Sequence, residues 1–134
     1  MINQHQALIY TMILVSAVDR RMGNAELKRI GGIVKDLPVF KGFDTKRLTT
    51  VARACARALD HDDGLARVLD EIARALPKNL RETAYALACD IAAIDRSATR
   101  EELRLLEMIR DRLSIERLVA AAIERGARAR HAVL

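Results

Sequence analysis

Residues 7–29 read ALIYTMILVSAVDRRMGNAELKR, and the fold follows from how that run changes character along its length. Its first twelve residues are apolar apart from Thr11 and Ser16, with neither alternation of period two nor a charged stripe. A helix that is apolar nearly all round belongs at the centre of a bundle, with other helices on every side. The run is too short to cross a bilayer and lacks the basic segment that a secretory signal carries ahead of its apolar core. It ends at Asp19, and a polar turn leads into a second helix with an acidic first turn at Glu26.

That passage is written twice. Residues 92–105 read AAIDRSATREELRL, and 76 positions earlier residues 16–29 read SAVDRRMGNAELKR. The offset pairs Asp19 with Asp95, Arg20 with Arg96, Glu26 with Glu102 and Leu27 with Leu103. Continuing it pairs Ile30 with Leu106, Ile33 with Ile109 and Leu37 with Leu113. The second copy is also preceded by a helix that is apolar nearly all round, through Ala84, Leu87, Ala88, Cys89, Ile91 and Ala92. A duplicated helical hairpin over residues 7–37 and 83–113 predicts two pseudo-symmetric halves packed across a shared core. Residues 46–59, KRLTTVARACARAL, and 116–129, ERLVAAAIERGARA, are candidates for a further matched pair.

Elsewhere apolar residues recur at spacings of three and four, and alanine and leucine dominate, so the chain is expected to be all-α. The periodicity predicts a single-domain bundle of about seven helices over residues 1–134, at 4–20, 24–36, 45–59, 64–76, 78–96, 100–113 and 115–130. Pro38 and Pro77 follow the second and fourth of these, and KGFDT at 41–45 supplies a glycine and a cap residue ahead of the third. With 134 residues and 51% apolar content, one domain can bury a real core.

The same composition bounds function. Cys55 and Cys89 sit inside apolar helical patterns without CxxC or Cys/His spacing, which predicts reduced core thiols and, with no membrane span, a cytoplasmic protein. A net charge of +5 comes mainly from arginine, with a local excess at ERGARARH, residues 124–131. Aromatic content of 3% leaves too few rings for a base-stacking platform, so nucleic-acid binding through the arginine-rich surface is the alternative and not the leading reading. No glycine-rich phosphate loop, H-E-x-x-H or G-x-S-x-G occurs, and no nucleophile stands beside a base, which points away from an enzyme.

The repeated turn, Asp-x-x-apolar-x-x-x-Glu-Leu, resembles the tellurite-resistance protein B (TerB) family through Asp19, Met22, Glu26 and Leu27 in one half and Asp95, Ala98, Glu102 and Leu103 in the other. The resemblance implies an all-helical domain of two related halves, an association with stress responses to tellurite and other toxic agents, and a metal-ion role for the acidic turn residues. Domains of the family also occur attached to membrane-anchored DnaJ-like co-chaperones, which implies partners in membrane-linked complexes. The glycine common after the family's turn aspartate is Arg20 and Arg96 in this chain.

Two readings of the acids follow. Thr99 with Glu102 spells a T-x-x-E capping box, Glu26 stands in the same relation to Gly23, and Asp19 and Asp95 can satisfy turn amides. Alternatively, Asp19, Glu26, Asp95 and Glu102 project four carboxylates that suit a hard divalent cation such as calcium. DHDDG at 60–64 lacks the spacing and closing glutamate of a calcium loop and reads as a cap for the fourth helix. His5, His61 and His131 show no ligand spacing and are expected at exposed positions. Asp90 interrupts an apolar helix and is expected to meet solvent or an arginine at the bundle edge, the other reading being a carboxylate in an interhelix groove. Tyr10 and Tyr85 are expected in the core with their hydroxyls hydrogen-bonded. The function expected from this is a non-enzymatic domain that binds a partner protein, with a divalent ion at the acidic turns.

Overall fold

The computed structural model describes residues 1–18, 23–94 and 98–134, with backbone alone for residues 93 and 94. Among the described residues there are seven α-helices and no strand. They are α1 Gln4–Ala17, α2 Asn24–Asp36, α3 Leu48–Leu59, α4 Gly64–Ala75, α5 Lys78–Ile94, α6 Arg100–Arg112 and α7 Arg117–Arg130. Short 3-10 turns at Pro38–Phe40 and Thr45–Arg47 join α2 to α3.

Every residue from Ala7 to Val15 is buried, which is two and a half turns of helix with all sides covered. The cover comes from α5, the principal neighbour, and from α4, α3, α2 and α6. Thr11 is the polar exception in α1, and its hydroxyl donates to the carbonyl of Ala7 at 2.8 Å, so the hub holds no unsatisfied side chain. Burying each leucine or isoleucine there contributes about 1.5–3 kcal/mol. Helix α5 is the second hub: it buries Ala84, Tyr85, Leu87, Ala88 and Cys89 against α1 on one side and α6 and α7 on the other. Both cysteines are free and buried, as their setting predicts.

Local chemistry sets the helix ends. Asn3 caps α1 by accepting from the amide of Gln6 at 2.9 Å, and Gln6 returns a bond to the Asn3 amide at 2.8 Å. Glu116 caps α7 by accepting from the amides of Leu118 and Val119, so that helix starts later than its apolar pattern indicates. The third predicted helix opens as the 3-10 turn Thr45–Arg47, where the Asp44 carboxylate accepts from the Lys46 amide. Pro77 closes α4, and Arg81 reaches back from α5 to donate to the carbonyls of Leu76 and Ala73, filling acceptors that the helix end leaves open. The cap expected from DHDDG is not made: Asp63 holds the N-cap position of α4 without a side-chain bond and pairs with Arg67 one turn on, at 3.7 Å.

The second halves of the two hairpins differ in what they bury. Helix α2 buries Ile30 and Val34, whereas α6 buries Leu105 and Ile109, a register one residue away from the sequence pairing of Ile30 with Leu106. Neighbours explain the shift, since α2 lies on α1 and the 3-10 turns while α6 lies on α5, α4 and α1. No helix among the described residues is long and apolar enough to cross a membrane.

Two glycines give a matched test of this packing. A Cβ on Gly64 would stand 2.5 Å from the Ala58 carbonyl oxygen and 2.6 Å from that of Leu59, whereas one on Gly32 would meet nothing within 4 Å. Gly64→Ala is therefore expected to lower stability by more than about 1 kcal/mol, and Gly32→Ala to raise it by roughly 0.5–1 kcal/mol, as alanine does in a helix interior. Urea unfolding of the two variants checks both signs.

Candidate functional site

The acidic turns come first, because the sequence placed its metal candidates there. Glu102 is 4% exposed. Its carboxylate accepts from the Thr99 amide at 3.2 Å while the Thr99 hydroxyl accepts from the Glu102 amide at 3.1 Å, which completes the capping box. Glu26 accepts from the Gly23 amide at 3.0 Å. Each glutamate thus sits at the positive end of its own helix, where a negative charge is favoured. Asp19 and Asp95, with Arg20, Arg21, Met22 and Arg96, lie outside the described residues. Among the described residues no three of His, Cys, Asp and Glu gather into a group that could hold a metal ion. Two glutamates, each engaged at its own helix start, do not by themselves form a cation site.

Two of the three histidines depart from expectation, while His61 is exposed as expected. His5 is half-buried, with Nε2 2.9 Å from the Val39 carbonyl oxygen and its ring between Phe40 and Phe43, at centroid distances of 5.7 and 5.6 Å. His131 is half-buried as well, with Nε2 3.4 Å from the Asp90 carboxylate. Asp90 also accepts from Arg130 at 2.6 Å, so the odd carboxylate of α5 does meet an arginine at the bundle edge and ties the end of α7 to α5.

Beside that tie the surface opens into a groove of about 860 Å³. Its origin is a divergence of helices. Leu113 ends α6, Ser114 takes a left-handed conformation with φ 54°, and the amides of Ser114 and Ile115 return to the carbonyls of Asp111 and Arg110. This is a Schellman stop with serine in the place usually taken by glycine. It turns the chain into α7, and α6 and α7 then both lie on α5 while hardly touching each other. Tyr85, Cys89 and Ala92 of α5 form the floor. Leu103, Leu106, Glu107 and Arg110 of α6 form one wall, and Glu124, Ala127 and Arg128 of α7, with His131 just past its end, the other. Leu103 is 55% exposed and Val133, at the other rim, 65%.

The floor carries one polar anchor. The Tyr85 hydroxyl donates to Glu124 at 2.5 Å, and Arg110 stands 3.6 Å from the same carboxylate, so the two walls are linked over the floor of the groove. Burial first, and then the hydrogen bond to Glu124, push the Tyr85 phenol well above its usual range. Burial likewise pushes the Cys89 thiol up to about 11, and that of Cys55, on the buried face of α3, to about 12. Both therefore stay protonated near neutral pH, which is not how an activated nucleophile is set up. The groove was not legible as a site in the sequence, yet one signal was there. Helix α6 has more leucines than its core stripe uses: Leu105, Ile109 and Leu113 face the interior, while Leu103 and Leu106 lie off that stripe and line the groove.

A hub helix covered by five others, with an open groove beside the sixth, defines a small all-helical domain. The family model described as tellurite resistance protein TerB matches residues 5–125, and the chain belongs to that family. Neither a curated protein nor a solved structure matches it.

Two predictions follow from the geometry. Thr99→Ala and Glu102→Ala each lose the capping box and are expected to lower stability by about 0.5–2 kcal/mol, equally with and without millimolar calcium, magnesium or manganese. A cation that raised the melting temperature of the wild type but not of Glu102→Ala would instead assign the turn to an ion. The second concerns alkaline pH. A thiol whose pKa is raised on folding contributes stability that is complete below its unfolded value and is lost as pH rises towards its folded one. Stability should fall from about pH 9 towards pH 11, by up to about 1.4 kcal/mol per pH unit for each thiol, and Cys89→Ala should flatten the fall. A flat urea midpoint over that range would contradict it.

Proposed function

We propose that this TerB-family chain is a non-enzymatic, stress-associated binding domain that holds a helix of a partner protein in the α5–α6–α7 groove. The observation that carries this reading is the cleft itself: two walls that diverge over an apolar floor, with Leu103 and Val133 exposed on the rims. An amphipathic helix laid into such a groove buries its apolar stripe against the exposed side chains of Leu103 and Val133. The association with stress comes from the family, whose description is tellurite resistance. The non-enzymatic part is supported by the chemistry in the groove, where the Glu124 carboxylate is occupied by Tyr85 and Arg110 and the Cys89 thiol is held protonated. A divalent ion at Asp19, Glu26, Asp95 and Glu102 is a second role to which the family likeness points, and the cation arm of the capping experiment tests it.

Photo-crosslinking tests the partner reading. A benzophenone amino acid at position 103, on the groove rim, is expected to give a discrete protein adduct in cells exposed to tellurite. The same group at position 118, where Leu118 is 76% exposed outside the groove lining, is expected to give none. Equal adducts at both positions, or none at position 103, would contradict groove binding.

A further inference from the structure

The charges on the groove walls specify the partner further, an inference that rests on the groove being the binding site. Of the ionisable groups that line it, Glu124 is engaged by Tyr85 and Arg110, and His131 lies against Asp90. Arg128 on the α7 wall and Glu107 on the α6 wall are different: neither has an ion pair or hydrogen bond among the described residues. Two unpaired charges of opposite sign thus stand on opposite walls of one apolar cleft. Burying either against an uncharged partner would cost solvation without return, whereas meeting an opposite charge offsets that cost and fixes how the partner lies.

We infer that the groove takes an amphipathic helix with oppositely charged edges, an acidic residue meeting Arg128 and a basic residue meeting Glu107. The apolar stripe between those edges lies on Leu103, Leu106 and Val133. The charges also fix polarity, because turning the helix end for end exchanges its edges and brings like charges together. Reversing both wall charges should then leave affinity nearly intact while reversing the direction in which the helix lies.

The test uses synthetic helical peptides with leucine at i, i+3, i+4 and i+7. One has glutamate along one edge and lysine along the other, and a control has lysine along both. Binding is read by fluorescence anisotropy and direction by a spin label at the peptide's N-terminus. The mixed peptide is expected to bind, and Leu103→Glu to abolish binding. Arg128→Glu and Glu107→Lys should each weaken it roughly five- to tenfold. The double variant Arg128→Glu/Glu107→Lys should recover most of the loss with the label at the opposite end of the groove. Arg125→Glu, which makes the same charge change outside the groove lining, should leave affinity nearly unchanged and so separates site recognition from the net charge of +5. Thermal melting checks that each variant is folded. If Leu103→Glu abolishes binding but the charge reversals do nothing, or the double variant is weaker than either single one, the charge inference falls and the groove reading stands. Absence of binding by the mixed peptide, or indifference to Leu103→Glu, overturns both, as does equal binding of the all-lysine peptide for the charge inference alone.

Discussion

The need to cover α1 on every side is the constraint on which the rest of the structure depends. Nine consecutive buried residues leave this helix no face for water, so a single partner helix or a layer on one side could not satisfy it. Five other helices are recruited, and α5, apolar over most of its own surface, is the one that lies along it most closely. Once that pair is set, α2, α3, α4 and α6 need only one apolar stripe each to complete the interior, and their other faces stay polar. The uneven distribution of apolar residues among the helices is thus the cause of the architecture.

The same constraint explains the groove. Of the hub pair, helix α7 packs chiefly on α5, along small residues such as Ala120 and Ala127. Its path is fixed at one end by the Ser114 turn and at the other by Asp90, which holds Arg130 and His131. Between those two ends α7 stands away from α6, and the Tyr85–Glu124–Arg110 link spans the gap. A helix that completed the core by filling this space would have removed the cleft, so the site is the part of the bundle left uncovered once the hub has been satisfied.

Much of this was legible in the residues. Helix number and approximate bounds follow from period and caps, which act within a few positions, and the T-x-x-E box at Thr99 and Glu102 forms as its spacing dictates. The two central helices stood out by composition. Features set by distant chain segments were not legible. His5 is buried by a loop more than thirty residues away, and the partners of Asp90 lie forty residues on. The repeat aligned Ile30 with Leu106, but which face of α2 or α6 turns inward depends on neighbours that differ between the halves, and the buried residue in α6 is Leu105. The acidic turns were the most conspicuous motif, and their described glutamates are engaged as caps. The groove residues, scattered over three helices, had no shared sequence signature beyond the surplus leucines of α6.

Native-state hydrogen exchange tests the central claim, that α1 is the hub, most directly. Elements whose amides open only when the whole molecule unfolds report the global stability, and peripheral elements open at lower cost. The account predicts that the amides of Leu8 to Leu14 in α1 and Ala84 to Ala88 in α5 share the highest protection and the full denaturant dependence of global unfolding, while those of α2 and α7 exchange through smaller openings. If the α1 amides exchanged through a local opening as easily as those of α7, the bundle would not depend on covering α1.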